Sequence, residues 1–274
     1  MLYLGSDICY FILYHLIRYR RKVVRENLVM SFPEKSDTEI KKIEKQFYHN
    51  FCDVITETLK ERGMKPSEIL ERITVTNPEM LEDLYKKGKN VFLAMHHSSN
   101  WEWLCNIMGK MMPHRAFVIY KQLSNHYFDN LVYKLRTNHS DNPKMMIEMR
   151  SVQAVLDNLS DGPSAVLILG DQSPKGAETD YWTDFLHRDT CWYTGVEKLA
   201  KKHDYAVVYV EMLRVKRGFY KVTFKLICEN PHTVEDGFIL EQYVRHVERF
   251  IQNNPDNWLW SHRRWKHSRQ DKAS

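Results

Sequence analysis

The sequence predicts an α/β fold: a mixed, largely parallel central sheet flanked by helices, with an N-terminal helical segment associated with a membrane. Three observations predict it. Short apolar runs (Val91–Met95, Ala116–Tyr120, Ala165–Leu169) alternate with stretches of helical periodicity, the pattern of parallel strands joined by crossover helices. The later runs, Ala206–Glu211 and Tyr220–Ile227, are too closely spaced for a helical crossover and predict an antiparallel or mixed edge. Finally, Leu2–Ile17 is apolar and aromatic, broken only by Asp7 and His15, and runs into Arg18-Tyr-Arg-Arg-Lys22 and Arg25.

That N-terminal stretch is shorter than the roughly 20 apolar residues a spanning helix needs. Its charges follow the apolar part, the reverse of a secretory signal. Residues 1–30 therefore read as an interfacial helix or the remnant of a longer membrane anchor, with the basic cluster against anionic headgroups on the cytoplasmic side. Residues 31–274 form the remaining domain. Phe32-Pro33-Glu34-Lys35 breaks the chain. A long helix follows over Ser36–Leu59, capped by Ser36 or Asp37, with apolar positions at Ile40, Ile43, Phe47, Phe51 and Ile55. Helices are expected around Pro66–Ile73 and Pro78–Lys86. Then come strand Val91–Met95, helix Trp101–Met112, strand Ala116–Tyr120, helix Tyr127–Asn138, a strand near Met145–Ile147, helix Ser151–Leu159 and strand Ala165–Leu169. Helix Gly195–Lys202, the two later strands and helix Leu240–Asn253 complete the chain.

Composition narrows the class. Five cysteines are scattered without a C-x-x-C pair, which argues for reduced thiols in cytosol and against a disulfide scaffold or a zinc site. There is no G-x-S-x-G elbow, P-loop, G-x-G-x-x-G or H-E-x-x-H. The net charge of +5 is too modest to name a partner; its placement matters more.

The segment that constrains the chemistry is Met95-His-His-Ser-Ser-Asn-Trp-Glu-Trp103. It puts a histidine at a strand's end and a carboxylate in the first turn of the next helix, for which Ser98, Ser99 and Asn100 are N-cap candidates. Ligands of open α/β sheets collect at the carboxyl ends of strands. With the chain bending back, Glu102 can fix the tautomer of His97 and stabilise its imidazolium, the orienting role of a catalytic carboxylate. The helix N-terminus opposes a resting charge on the ring. His96, next to it, competes for the part of base. Asp171 and Gln172 follow a second apolar run: Asp171 can organise a basic residue, and Gln172 can supply a neutral donor to substrate. Lys121, Arg136 and Arg150 are cations suited to phosphate or carrier contacts, or to charge on a reacting carbonyl. The methionine-rich stretches Met108–Met112 and Met145–Met149 read first as core filling.

His97-Ser-Ser-Asn-Trp-Glu102 resembles the H-x4-D/E block of the bacterial lysophospholipid acyltransferase-like family, and within it the late acyltransferases of lipid A biosynthesis. Three further blocks agree in order. Val118–Asn125, with Arg136 beyond it, resembles the family's Tyr-Arg block. Leu169-Gly-Asp-Gln-Ser-Pro-Lys-Gly176 resembles its Asp-Gln segment, and Trp260-Ser-His-Arg-Arg-Trp-Lys266 its C-terminal signature. Ser99 takes the place of a usual glycine, and Lys121 that of a frequent arginine, keeping its charge without the bidentate fork. The resemblance selects His97 over His96 and implies direct acyl transfer from a thioester, acyl carrier protein favoured over acyl-CoA, to a hydroxyl of a lipid A precursor. An aminolipid or lysophospholipid is the alternative acceptor, and a non-catalytic lipid-binding protein on the same fold the alternative class; water in place of the acceptor would make it a thioester hydrolase. His97 and Glu102 would form the catalytic dyad, with Asn100, Lys121, Arg136, Asp171 and Gln172 against substrate. No metal, cofactor or nucleic acid is implied. The place of action would be the cytoplasmic face of an inner membrane. The C-terminal aromatic and cationic tract, with Trp258 and Trp260, then belongs to lipid headgroups and to packing near the site.

Overall fold

The computed structural model describes residues 2–122, 124–142, 144–174 and 181–269. Seven strands make the main sheet: β1 (Ile73–Val75), β2 (Val91–Met95), β3 (Arg115–Tyr120), β4 (Met146–Glu148), β5 (Ser164–Leu169), β8 (Ala206–Lys216) and β9 (Phe219–Cys228). Their order is β1-β9-β8-β2-β5-β3-β4. Strands β8, β2, β5, β3 and β4 run parallel, and only β8 with β9 pair antiparallel. The expected mixed sheet is thus present, its antiparallel edge where the closely spaced runs placed it.

Alternation along each buried strand feeds two cores. Phe92, Ala94, Val166, Ile168, Val207 and Tyr209 face one side, packing with α9 (Gly195–His203) and α10 (Phe238–Asn253). Val91, Leu93, Met95, Leu167, Val208 and Val210 face the other, against α4 (Pro66–Leu70), α5 (Glu79–Lys86) and α6 (Trp101–Ile107). Met108 and Met145 lie in this second core, which accounts for both as packing. Helix α7 (His126–Arg136) buries no residue, and α8 (Val152–Leu156) is a single short turn.

The helix expected over Pro66–Ile73 ends at Leu70, and Ile73 instead opens the edge strand β1 beside β9. The helix from Trp101 changes to a 3-10 turn at Met108–Lys110. A hairpin with no counterpart in the sequence reading pairs β6 (Tyr181–Phe185) with β7 (Arg188–Trp192). Its two loop residues, Leu186 and His187, both have positive φ, 51° and 63°. Such turns ordinarily announce themselves through Asn or Gly. Here the conformation is held from outside, by burial of Leu186 and by its N–H donating to Glu248 at 2.7 Å.

At the N-terminus α1 (Leu2–Tyr10) passes into a π-helical turn, Phe11–Leu16, and then α2 (Arg21–Ser31). Among the described residues no helix is long and apolar enough to cross a membrane. Leu4, Ile8, Phe11, Leu16 and Ile17 are all exposed.

Helix α3 (Asp37–Glu61) starts at Ser36, whose hydroxyl and backbone N–H complete a capping box with Glu39. It is more than the amphipathic helix its pattern suggests, because acidic side chains on it are buried too. Asp53 accepts from Ser6, Arg214 and Arg217; Glu57 accepts from Tyr3, Tyr220 and Asn100; Glu61 accepts from Asn106 at 2.7 Å. Among the described residues no cation pairs with Glu61, and burial pushes its carboxyl up to about 8 against the opposing Asn106 bond. The folded chain therefore keeps a proton that the unfolded chain has lost, so stability falls as pH rises from 4.5 to about 8. Glu61→Gln should have a small effect at pH 5 and be stabilising by about 4 kcal/mol at pH 8. Urea unfolding at the two pH values measures this, and equal effects at both would refute it.

Candidate active site

Strands β2 and β5 are neighbours with Met95 opposite Leu169. Two residues beyond each, at the same edge, stand His97 and Asp171. The sheet thus brings together two loops separated by 74 residues. His97 Nδ1 lies 2.6 Å from Asp171 Oδ1, and the backbone N–H of His97 donates to Oδ2 at 3.0 Å. The indole N–H of Trp258 donates to the same Oδ2 at 2.7 Å. Burial would raise the Asp171 carboxyl, but the imidazoles of His97 and His96 and the Trp258 bond outweigh it and hold it well below the usual carboxylate range. A permanent carboxylate on Nδ1 fixes the N–H there and leaves the lone pair on Nε2. Nε2 points outward, where the exposed amide of Gln172 lies 3.3 Å away.

Glu102 is placed otherwise than its sequence spacing suggests. Its carboxylate is gripped by Arg136, whose Nε and Nη2 donate at 2.8 and 2.7 Å in a bidentate pair, and by the indole N–H of Trp101 at 3.0 Å. Burial works to raise this carboxyl too; the Arg136 bonds and charge win and lower it. The carboxylate that touches the imidazole is Asp171. Glu102 acts on His97 through space, and Trp101, next to it, packs edge-on against the ring at 5.4 Å between centroids.

The turn between strand and helix is built for this. Ser99 has φ 52°, in the left-handed region that favours glycine. Serine holds it because its N–H donates to Asn257 O at 3.1 Å and its hydroxyl to Met212 O at 2.8 Å. Asn100 resolves the three-way choice of cap: its Oδ1 accepts from Trp103 N at 3.0 Å, while Nδ2 donates to Glu57 at 2.8 Å. With both ends of its side-chain amide engaged and no exposure, Asn100 caps the helix and ties the turn to α3. His96 faces inward, wholly buried, stacked on Tyr209 and edge-on to Phe250. Burial lowers it to about 4, so it is neutral and out of reach of any substrate.

The C-terminal tract closes the site from behind. Ser98 bridges to Trp258, and Leu259 N donates to His97 O at 3.0 Å. Ser173 N donates to His262 Nε2 at 3.2 Å, steadying the Asp171 loop. Trp258, Trp260 and Arg264 are buried and pack behind the site, while Arg263 and Lys266 of the same tract are exposed. Trp258 donates to Asp171 and His262 accepts from the loop that follows it; the sequence placed both in the C-terminal tract near the site, without naming these partners. Lys121 is exposed just past the end of β3, at the same sheet edge as His97. Lys175 and Gly176 of the Asp-Gln block lie outside the described residues. Alongside Trp101 and Trp258 lies a shallow, largely filled cleft walled by Phe47, Phe51, Val54 and Leu259.

Burial also lowers His262 to about 4. For both His96 and His262 the folded chain resists a proton that the unfolded chain accepts below 6.5. Their contribution is therefore intact above pH 6.5 and is lost as pH falls towards 4. Between pH 7 and pH 5, His96 alone should cost about 2 kcal/mol of unfolding free energy. Chemical denaturation in this window checks it; a flat profile would contradict it.

Residues 4–267 match the family model described as bacterial lipid A biosynthesis acyltransferase. Over 251 residues the chain is 21% identical to a lipid A biosynthesis palmitoleoyltransferase of Escherichia coli (strain K12), covering 91% of this chain and 80% of that protein. It is similar to the same extent, and over the same shares, to a lipid A biosynthesis acyltransferase of Shigella flexneri. A histidine braced by a buried carboxylate at the carboxyl edge of a parallel sheet, in a chain matched along almost its full length, places the protein in the bacterial lipid A biosynthesis acyltransferase family, and it is an acyltransferase.

Proposed function

We propose that the protein moves a fatty acyl chain from an acyl thioester, carried by acyl carrier protein, to a hydroxyl of a lipid A precursor, with His97 as general base. The observation that carries this is the Asp171–Nδ1 bond of 2.6 Å, which supports Nε2 as the atom that takes the proton. The acceptor displaces the exposed Gln172 amide from Nε2, its oxygen attacks the thioester carbonyl, and the C–S bond breaks. The proton on the imidazolium goes to the departing thiolate, so no covalent enzyme intermediate is needed. Asp171 steadies the imidazolium directly, and the anionic Glu102 adds to it through space. Gln172 and Lys121 are our candidates for contacts to the reacting groups, Arg136 for bracing Glu102. The names of the two relatives favour lipid A as the acceptor; the acidity of acyl carrier protein suits a basic chain. The exposed apolar side chains of α1 and the π-turn, followed by Arg18, Arg20 and Lys22, support an interfacial seat on the inner membrane's cytoplasmic face.

The test is incubation of detergent-solubilised protein with labelled acyl carrier protein or acyl-CoA and a panel of acceptors: a lipid A precursor, an aminolipid and a lysophospholipid. Acylated lipid A precursor, formed by the native chain and not by His97→Ala, is the expected product. Transfer only to another lipid would replace the acceptor. Free fatty acid alone would make the protein a hydrolase, and binding without turnover a lipid-binding module.

A further inference from the structure

The turn between the π-helical segment and α2 shapes a second polar site, outside the catalytic centre. Arg18, Arg21, Lys22 and Arg25, with Lys41 of α3, line an open concavity of about 440 Å³ whose lining holds two carboxylates, Asp37 and Glu44. Five cations around two anions leave a strong positive field in a recess.

Two of the cations are fixed in place. Glu44, buried on α3, accepts from Arg21 Nε at 3.2 Å and Arg25 Nη1 at 3.4 Å. Arg21 also lies over the Tyr14 ring at 4.2 Å, and Arg25 reaches Asp37 as well. Glu44 is saturated by this and templates the two guanidiniums. Arg18 and Lys41 make no ion pair with any described residue, and Lys22 has only a long contact, 3.8 Å, to the exposed Glu26. Arg18 (φ 54°) and Arg20 (φ 51°) both sit in the left-handed region, a strained turn for non-glycine residues. It ends the π-turn and opens α2 with no side-chain cap, so the first N–H groups of α2 add to the field. Immediately before Arg18 come the exposed Leu16 and Ile17, and Val29 and Met30 are exposed on α2.

We infer that this recess binds a phosphate group, and that the phosphate belongs to a membrane lipid whose tails meet the neighbouring apolar side chains. Preformed guanidiniums suit a tetrahedral oxyanion with several acceptor oxygens. The uncommitted Arg18, Lys22 and Lys41 are the charges free to close on it. The inference rests on the interfacial reading of the N-terminal segment and sharpens it from a general attraction to a defined headgroup site.

The experiment is flotation of the full chain with phosphatidylcholine vesicles containing either phosphatidic acid or phosphatidylserine at matched surface charge. A second arm measures inorganic phosphate binding by calorimetry. Arg18→Asn, which tolerates the left-handed backbone, combined with Lys41→Gln, removes two unpaired cations at exposed positions. The native chain should bind phosphatidic acid vesicles about tenfold more tightly than phosphatidylserine vesicles, and the double variant should lose that preference. Its unfolding midpoint should match the native one, separating site from fold. Tight saturable binding of inorganic phosphate without vesicle preference would keep the phosphate and overturn the lipid. Equal binding to both vesicles with no saturable binding of inorganic phosphate, or a preference that survives in the double variant, overturns the site while leaving the interfacial reading standing. Binding to neither vesicle overturns both. None of these readouts depends on His97.

Discussion

Asp171→Asn should lower kcat for acyl transfer by about 10³ to 10⁴ with little change in KM, whereas Glu102→Gln should cost only roughly tenfold to a hundredfold. The ranking follows from contact. Asp171 bonds the ring nitrogen and the backbone of His97, while Glu102 spends both oxygens on Arg136 and Trp101. An amide at 171 can offer its own N–H to Nδ1, inviting the tautomer whose proton sits on the atom meant to receive one. Steady-state kinetics at saturating thioester, with the folding of each variant checked by circular dichroism, decide the matter. If Glu102→Gln is dead and Asp171→Asn is active, the base is oriented from the helix, and the assignment of Asp171 falls.

Arg136→Met should destabilise the protein by about 3 kcal/mol, because it strands a mostly buried carboxylate without its partner. The side chains of Arg136 and Glu102 are only 22% and 18% exposed, so water screens the pair partly and the cost stays at the lower end for a buried bridge. Adding Glu102→Gln should restore most of the loss, since the charge that suffered is then gone. The full double-mutant cycle, read by urea denaturation, gives the coupling. Additive effects would mean the bidentate pair contributes little. Because α7 buries none of its residues, this pair helps hold α7 beside the site, together with the Asn106 bond to Leu135 O at 2.8 Å, so Arg136→Met should loosen the helix and quicken amide exchange there.

Much of the fold was legible because strand burial is written in short apolar runs and helix burial in spacing. Strands β2, β3 and β5 fall within a residue or so of where those runs place them, and of the two cap candidates, Ser36 and Asp37, it is Ser36 that caps α3. The hairpin β6–β7 was not legible, because its turn conformation is imposed by a buried leucine and a distant glutamate rather than by turn residues. The burial of Asp53, Glu57 and Glu61 on α3 has no signal in the spacing of its apolar residues. Only packing shows that Tyr3, Tyr220, Asn100 and Asn106 line up to satisfy Glu57 and Glu61.

The site divides the same way. The sequence by itself determined that a histidine stands at the end of a buried strand, that an acid follows in the next helix, and that Asp171 and Gln172 occupy a matching loop. Proximity along the chain made Glu102 the natural partner for His97. Tertiary structure alone decided between the acids, because strand order is a long-range property. β5 inserts between β2 and β3 and aligns Leu169 with Met95, and that register carries Asp171 to the imidazole. Glu102, left facing α7, meets Arg136 instead. A carboxylate binds whichever donor the packed fold sets within hydrogen-bond range, and neighbours in sequence have no priority over neighbours in space.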